Sequence, residues 1–245
     1  MIPRLDISFP MKNQWTFCFG QAYAPAKGEY LLNHARSGIV MALRAALPEG
    51  GRVGVVAYNC HTVANAVVES GCTSVFVDVT EDLHMDVQHL AGLQLDAIVV
   101  TNLFGIHNDI AAICKAQPNA IIIVDNAHGY GLPAEGDFTV YSINQGKFPA
   151  LGEGGILMVN NVLYQDAIQQ QYTLLPNYSK SQGLKLFMVM LVKAWVHIPW
   201  IYALVTRRMK AHRGKVACRE NVVLRKMAKG VSCMYQQALP TIGEQ

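Results

Sequence analysis

The residues best suited to covalent chemistry lie close together in the chain. Lys147 sits in the stretch Asn144-Gln-Gly-Lys147-Phe-Pro-Ala-Leu-Gly-Glu-Gly-Gly155 and is the only lysine between Lys115 and Lys180. A lysine among small residues, between two apolar runs, can be partly desolvated. That lowers its pKa and makes the neutral amine available to attack a carbonyl. The glycines of this stretch and Ser142 just before it offer close backbone approach and a hydroxyl, which suit a phosphate. Upstream, the apolar run Ile121-Ile-Ile-Val124 ends in Asp125-Asn-Ala-His128. A carboxylate closing such a run is costly to bury unless a cation lies nearby.

Taken singly, each residue has a plainer reading. Lys147 could be a surface lysine in a flexible loop, and Asp125 could cap a following helix. Taken together they fit one cofactor. Pyridoxal phosphate (PLP) needs a lysine for its aldehyde, a carboxylate to keep its ring nitrogen protonated, and donors for its phosphate. Other nucleotide-type sites lack their fingerprints: there is no G-x-G-x-x-G after the first predicted strand and no G-x-x-x-x-G-K-[ST]. Six scattered cysteines without C-x-x-C spacing argue against a zinc site or a disulfide scaffold, and no metal is expected.

These groups need a scaffold, and the pattern supplies one. Arg36–Leu47 has helical spacing at Ile39, Val40, Leu43 and Leu47. Strands are expected at Arg52–Ala57, Ser74–Val77, Asp96–Thr101, Ala120–Val124, Phe138–Ser142 and Gly155–Val159. Helices are expected at Thr62–Glu69, Asp86–Leu93 and Asn108–Lys115. Strands that are apolar on both faces call for helices on both sides of a mostly parallel sheet, the α/β class. Ligands of open α/β sheets bind at the carboxyl ends of the strands, where Asp125 and Ser142 fall.

Composition sets further bounds. The chain has 245 residues, 51% hydrophobic and 15% charged, which excludes a disordered chain. Its net charge of +3 is unevenly spread. Residues 1–179 carry 8 basic and 15 acidic residues, a net of −7, and residues 180–245 carry 12 and 2, a net of +10. The expected division is a large cofactor-binding unit over 1–179 and a basic, apolar, helical segment over 180–245. Within the latter, Leu184–Val205 is long enough to span a bilayer, but Lys185, Lys193, His197 and Pro199 interrupt it. A helix covered by protein is the first expectation, an interfacial helix the second. Nucleic-acid binding is not expected, because the basic stretch is too apolar and carries no known motif. The first residues show no basic region followed by an apolar run, so a cytoplasmic protein is expected, with contact at the inner membrane surface as an addition.

Four stretches together resemble the DegT/DnrJ/StrS family of sugar aminotransferases, which are fold type I PLP enzymes. They are Arg36-Ser-Gly-Ile-Val-Met-Ala-Leu43, Val75-Phe-Val-Asp-Val79, Val124-Asp-Asn-Ala-His128, and Ser142 with Lys147 and Gly152-Glu-Gly-Gly155. Asn102-Leu-Phe-Gly105 also fits, with Asn102 where the family usually has histidine. The resemblance implies the three-layer large domain of those enzymes with a helical C-terminal extension. It implies that Lys147 holds PLP covalently and shuttles a proton, that Asp125 pairs with the ring nitrogen, and that His128 lies beside the ring. Ser142 would contact the phosphate, with backbone donors from Arg36 and Ser37 at a helix N-terminus. Cys60 falls where an aromatic ring usually stacks on the cofactor, and Tyr58 or His61 could stand in. The implied reaction moves an amino group from glutamate to a nucleotide-linked keto-sugar, in a homodimer. Family members run on beyond the point where this chain stops, so a PLP-binding remnant without efficient transamination is the alternative expectation.

Overall fold

A computed structural model describes residues 11–196 and 222–242. Seven strands form one sheet: β1 (Glu29–Leu32), β2 (Arg52–Val56), β3 (Thr73–Val77), β4 (Ala97–Thr101), β5 (Ile121–Asn126), β6 (Phe138–Ser142) and β7 (Gly155–Val159). Their order across the sheet is β1-β7-β6-β5-β4-β2-β3. Strands β2 to β6 run parallel. β7 is antiparallel to β6, and β1 closes that edge antiparallel to β7. The described helices are α1 (Met11–Phe19), α2 (Ala35–Ala46), α3 (His61–Glu69), α4 (Val87–Ala91), α5 (Ile110–Ala116), α6 (Gln165–Leu174), α7 (Lys180–Val196) and α8 (Lys229–Ile242).

Alternate residues of each inner strand point to opposite faces. Val53, Val55, Ala97, Val99 and Ile123 share a core with Ile39, Val40 and Leu43 of α2 and Val63, Ala66 and Val67 of α3. Val77, Ile98, Val100, Ile122 and Val124 share another with Leu90, Ile110 and Ile113 from α4 and α5. Both faces are apolar because both are covered, giving the expected three layers. A third core joins Leu31, Ile143 and Ile156 to Met190 of α7 and Val231, Met234 and Tyr235 of α8. Residues on the two sides of the charge change at Ser179 therefore pack together.

Most of the expected elements are present with shifted ends. Asp86 and Asp109 precede their helices: Asp86 accepts from Gln88 N and His89 N, and Asp109 accepts from Ala112 N. Both are N-caps. β5 runs on through Asp125 and Asn126, and no helix follows, so Asp125 is not a helix cap. β1, α1 and α6 were not expected. β1 is only four residues long and contains Glu29, buried against Tyr23 Oη (2.8 Å) and Ala26 N (3.1 Å). Of Leu184–Val205, residues 184–196 lie in α7 and the remainder is outside the described residues.

Candidate active site

The sheet's parallel register carries Asp125 to the end of β5, opposite Thr101 of β4 and Val140 of β6. Only 3% of Asp125 is exposed. Burial pushes its pKa up, and three contacts oppose that: the Ala127 amide donating to Oδ1 at 3.0 Å, the nearby Lys147 charge, and Thr101 Oγ1 donating to Oδ2 at 3.3 Å. Thr101 Oγ1 in turn accepts from Asn59 Nδ2 at 2.8 Å. A hydrogen-bonded chain thus runs from the β2–α3 loop to the buried carboxylate.

Lys147 is half-buried, and burial lowers its pKa while Asp125 and Cys60 pull it back up. His128 is pushed down by burial and by the Lys147 charge. Its Nδ1 accepts from the Phe104 amide at 3.3 Å, and the two rings lie 5.8 Å apart. Asp125, His128 and Cys60 are therefore each within electrostatic reach of Lys147. Cys60 precedes α3, with its amide donating to Asn59 Oδ1 at 2.7 Å and its Sγ accepting from Thr62 Oγ1 at 3.1 Å. Tyr58 and His61 beside it are exposed.

A second group of expected residues meets where β7 begins. Ser142 pairs with Gly155, and a Cβ on Gly155 would lie 2.2 Å from Ala35 N, so the strand start abuts the first turn of α2. This close approach is the use found for the glycine of Gly154-Gly155. Gly155 thereby lets β7 reach the helix that carries Arg36 and Ser37, while a Cβ on Gly154 would meet Ile143 and Met227 instead. Gly155→Ala is therefore expected to destabilise the fold by about 1–3 kcal/mol, since the added methyl meets backbone rather than a movable side chain. Urea unfolding checks it, and an unchanged midpoint would mean that strand and helix do not touch. Ser37 is fully buried, with its amide donating to His34 O (3.1 Å) and its hydroxyl to Asn33 Oδ1 (2.8 Å).

Asn144 ties these parts together. Its Oδ1 accepts from Gly154 N at 2.9 Å, its Nδ2 lies 3.2 Å from His34 Nδ1, and its carbonyl accepts from the Lys147 amide at 3.0 Å. Its own amide donates to Ser142 Oγ at 3.4 Å. Asn102 belongs to another buried set. It donates to Asn126 Oδ1 (2.6 Å) and accepts from Asn108 N (2.8 Å), while Asn108 Oδ1 accepts from Met85 N (2.7 Å). This amide network holds the ends of β4 and β5 to the turn before α4.

Residues 22–188 match the DegT/DnrJ/EryC1/StrS aminotransferase family, more than half of the chain. The chain belongs to that family. Solved structures with the same fold include the sugar aminotransferase CalS13 from Micromonospora echinospora (16% identity, TM-score 0.67, covering 100% of this chain and 69% of CalS13). AtS13 from Actinomadura melliaura is similar at 18% identity and TM-score 0.63, covering 89% of this chain and 56% of AtS13. DesI, solved in the presence of its TDP-sugar product, is similar at 17% identity and TM-score 0.62, covering 88% of this chain and 49% of DesI. The chain thus spans about half the length of AtS13 and of DesI.

DegT/DnrJ/EryC1/StrS aminotransferases are PLP-dependent, and the donor set here suits that cofactor. Asp125 is buried, and a carboxylate's lone pairs can accept more than the two bonds it receives. That leaves room for a protonated ring nitrogen. Ser142, 3% exposed, keeps its hydroxyl proton to donate. In this DegT/DnrJ/EryC1/StrS chain, sequence reading missed Asn59, Thr101 and Asn144. Thr101 is the residue at which the expected strand Asp96–Thr101 ends, the position where ligand-facing groups gather. Asn144 lay inside the loop already singled out for Lys147. Asn59 had no such signal.

Proposed function

We propose that this chain is a PLP-dependent aminotransferase that moves an amino group from glutamate to the keto group of a nucleotide-linked sugar. The observation that carries the reading is the half-buried Lys147 coupled to the buried Asp125, with His128 beside them, at the carboxyl ends of β5 and β6. Family membership sets the reaction class, and the sugar substrate follows the names of CalS13 and DesI.

When bound, PLP supplies an aldehyde and an electron-poor ring that spreads negative charge from the substrate carbon. The chain's own residues do the rest. Asp125 presents an anion to the ring nitrogen and keeps it protonated. Lys147 Nζ, shifted toward its neutral form by burial, accepts and returns a proton at the substrate carbon. His128 would be the group beside the ring, as the resemblance implies. Ser142 and the first turn of α2 at Arg36 hold the phosphate, where the helix dipole favours an anion. Ser37, whose donors are engaged by His34 and Asn33, contributes by shaping that turn. Cys60 would be the small group at the position from which the family stacks a ring on the cofactor. The proposal includes a homodimer, as the resemblance implies.

Borohydride reduction of the purified chain with PLP, followed by peptide mapping, tests this reading. The pyridoxyl group is expected on Lys147. Labelling of another lysine, or none at saturating PLP, would overturn it.

A further inference from the structure

One feature remains that transamination does not use. The inward side of α7 is apolar: Met190 is buried, and Leu186, Phe187 and Leu191 pack with it on the third core. Its outward side is apolar too. Leu184 is 62% exposed, Met188 50%, Val189 40% and Val192 57%. At 100° per residue these four fall on one arc of the helix, opposite the packed residues. A helix that is apolar all round is normally covered on all sides. The charges on the helix are of one sign. Lys180 and Lys185 are exposed, Lys185 within the outward arc, and the helix contains no acidic residue. In the sequence, no Asp or Glu occurs between Asp166 and Glu220, whereas Lys180, Lys185, Lys193, Arg207, Arg208, Lys210, Arg213, Lys215 and Arg219 all fall in that interval.

We propose that the outward face of α7 rests on an anionic lipid bilayer, its apolar arc in the headgroup–acyl boundary and Lys185 against lipid phosphates. Among the described residues no helix is long and apolar enough to cross a membrane. The proposed arrangement is a helix lying in the plane of the surface. Charge selects this occupant. In a symmetric contact of α7 with its own copy, Lys185 would find no acidic residue on the facing helix to pair with. A lipid surface of negative charge attracts each basic group, and long lysine stems let the ammonium groups reach the phosphates while their methylenes stay in apolar surroundings.

The test is co-sedimentation of the full chain with vesicles of phosphatidylcholine alone and of phosphatidylcholine with phosphatidylglycerol at 3:1. Binding to the anionic vesicles is expected to exceed binding to the neutral ones by roughly tenfold or more, and to fall with added salt. The combined variant Leu184→Glu, Met188→Glu and Val192→Glu is expected to lose that binding while keeping the wild-type far-ultraviolet circular dichroism. Equal binding to both vesicle types, or none to either, would overturn the proposal whatever the variant does. So would self-association without lipid that the variant abolishes, which would make the occupant a second copy. Because the readout needs neither cofactor nor turnover, its failure is separate from any failure of the aminotransferase reading.

Discussion

Replacing Lys147 with alanine is expected to leave PLP binding measurable but to slow the half-reaction with glutamate by roughly 10²- to 10⁴-fold, the range for losing a positioned acid–base group. Two features make Lys147 the group with most to lose. Burial lowers its pKa, so more of it is neutral near pH 7 than for a lysine in water. The Gly146–Gly152 loop is also pinned by Asn144, which fixes the lysine's backbone through the Lys147 amide. Borohydride should no longer fix a pyridoxyl group to the variant. A small primary amine in solution should restore part of the rate, because it can move the proton that the side chain no longer moves. That recovery separates a chemical role from a structural one. A variant that transaminates glutamate at the wild-type rate would remove Lys147 from the chemistry.

Asp125→Ala should act first on affinity. The carboxylate is buried at the end of β5, and removing one member of a buried charged pair costs about 3–5 kcal/mol. PLP should therefore bind roughly a hundred- to several-thousand-fold more weakly, as read by equilibrium titration of cofactor absorbance. Asp125→Asn keeps the shape and, through its single oxygen, can still accept from the Ala127 amide, while its Nδ2 replaces the oxygen that faces Thr101 Oγ1. It should lose the charge and that one bond without opening a cavity. If both variants bind PLP as the wild type does, the aspartate serves the turn after β5 and nothing more.

The parallel sheet could be read in the sequence because its strands are apolar on both faces and its helices have a clear period. Ala97–Thr101 and Ile121–Val124 show this plainly. β1 could not be read, since Glu29-Tyr-Leu-Leu32 is short, begins with a charge, and becomes a strand only by pairing with β7. The candidate site was legible where chemistry demands an unusual residue, as at Lys147 and Asp125. It was not legible where ordinary amides do the positioning. Asn59, Asn108, Asn126 and Asn144 look like loop residues in the sequence, and only three-dimensional proximity gives them partners. The reading of Gly154-Gly155 had the right physical attribute, close backbone approach, which Gly155 uses against the start of α2.

The pairing of Leu32 with Gly155 also bears on how the protein is made. Synthesis begins at the N-terminus, so β1 is extruded long before β7 exists. Roughly 120 residues separate the two, which at 5–20 residues per second is roughly 6 to 25 s of elongation. During that time the nascent chain can assemble β2 to β5 in order, since each finds its parallel neighbour among segments already made. β1 has none, and an unpaired edge invites wrong partners. Because Ala35 and Gly155 meet only when β7 docks, the first turn of α2 cannot reach its final surroundings before then. The docking of β7 is therefore also a step on which the proposed anion site depends.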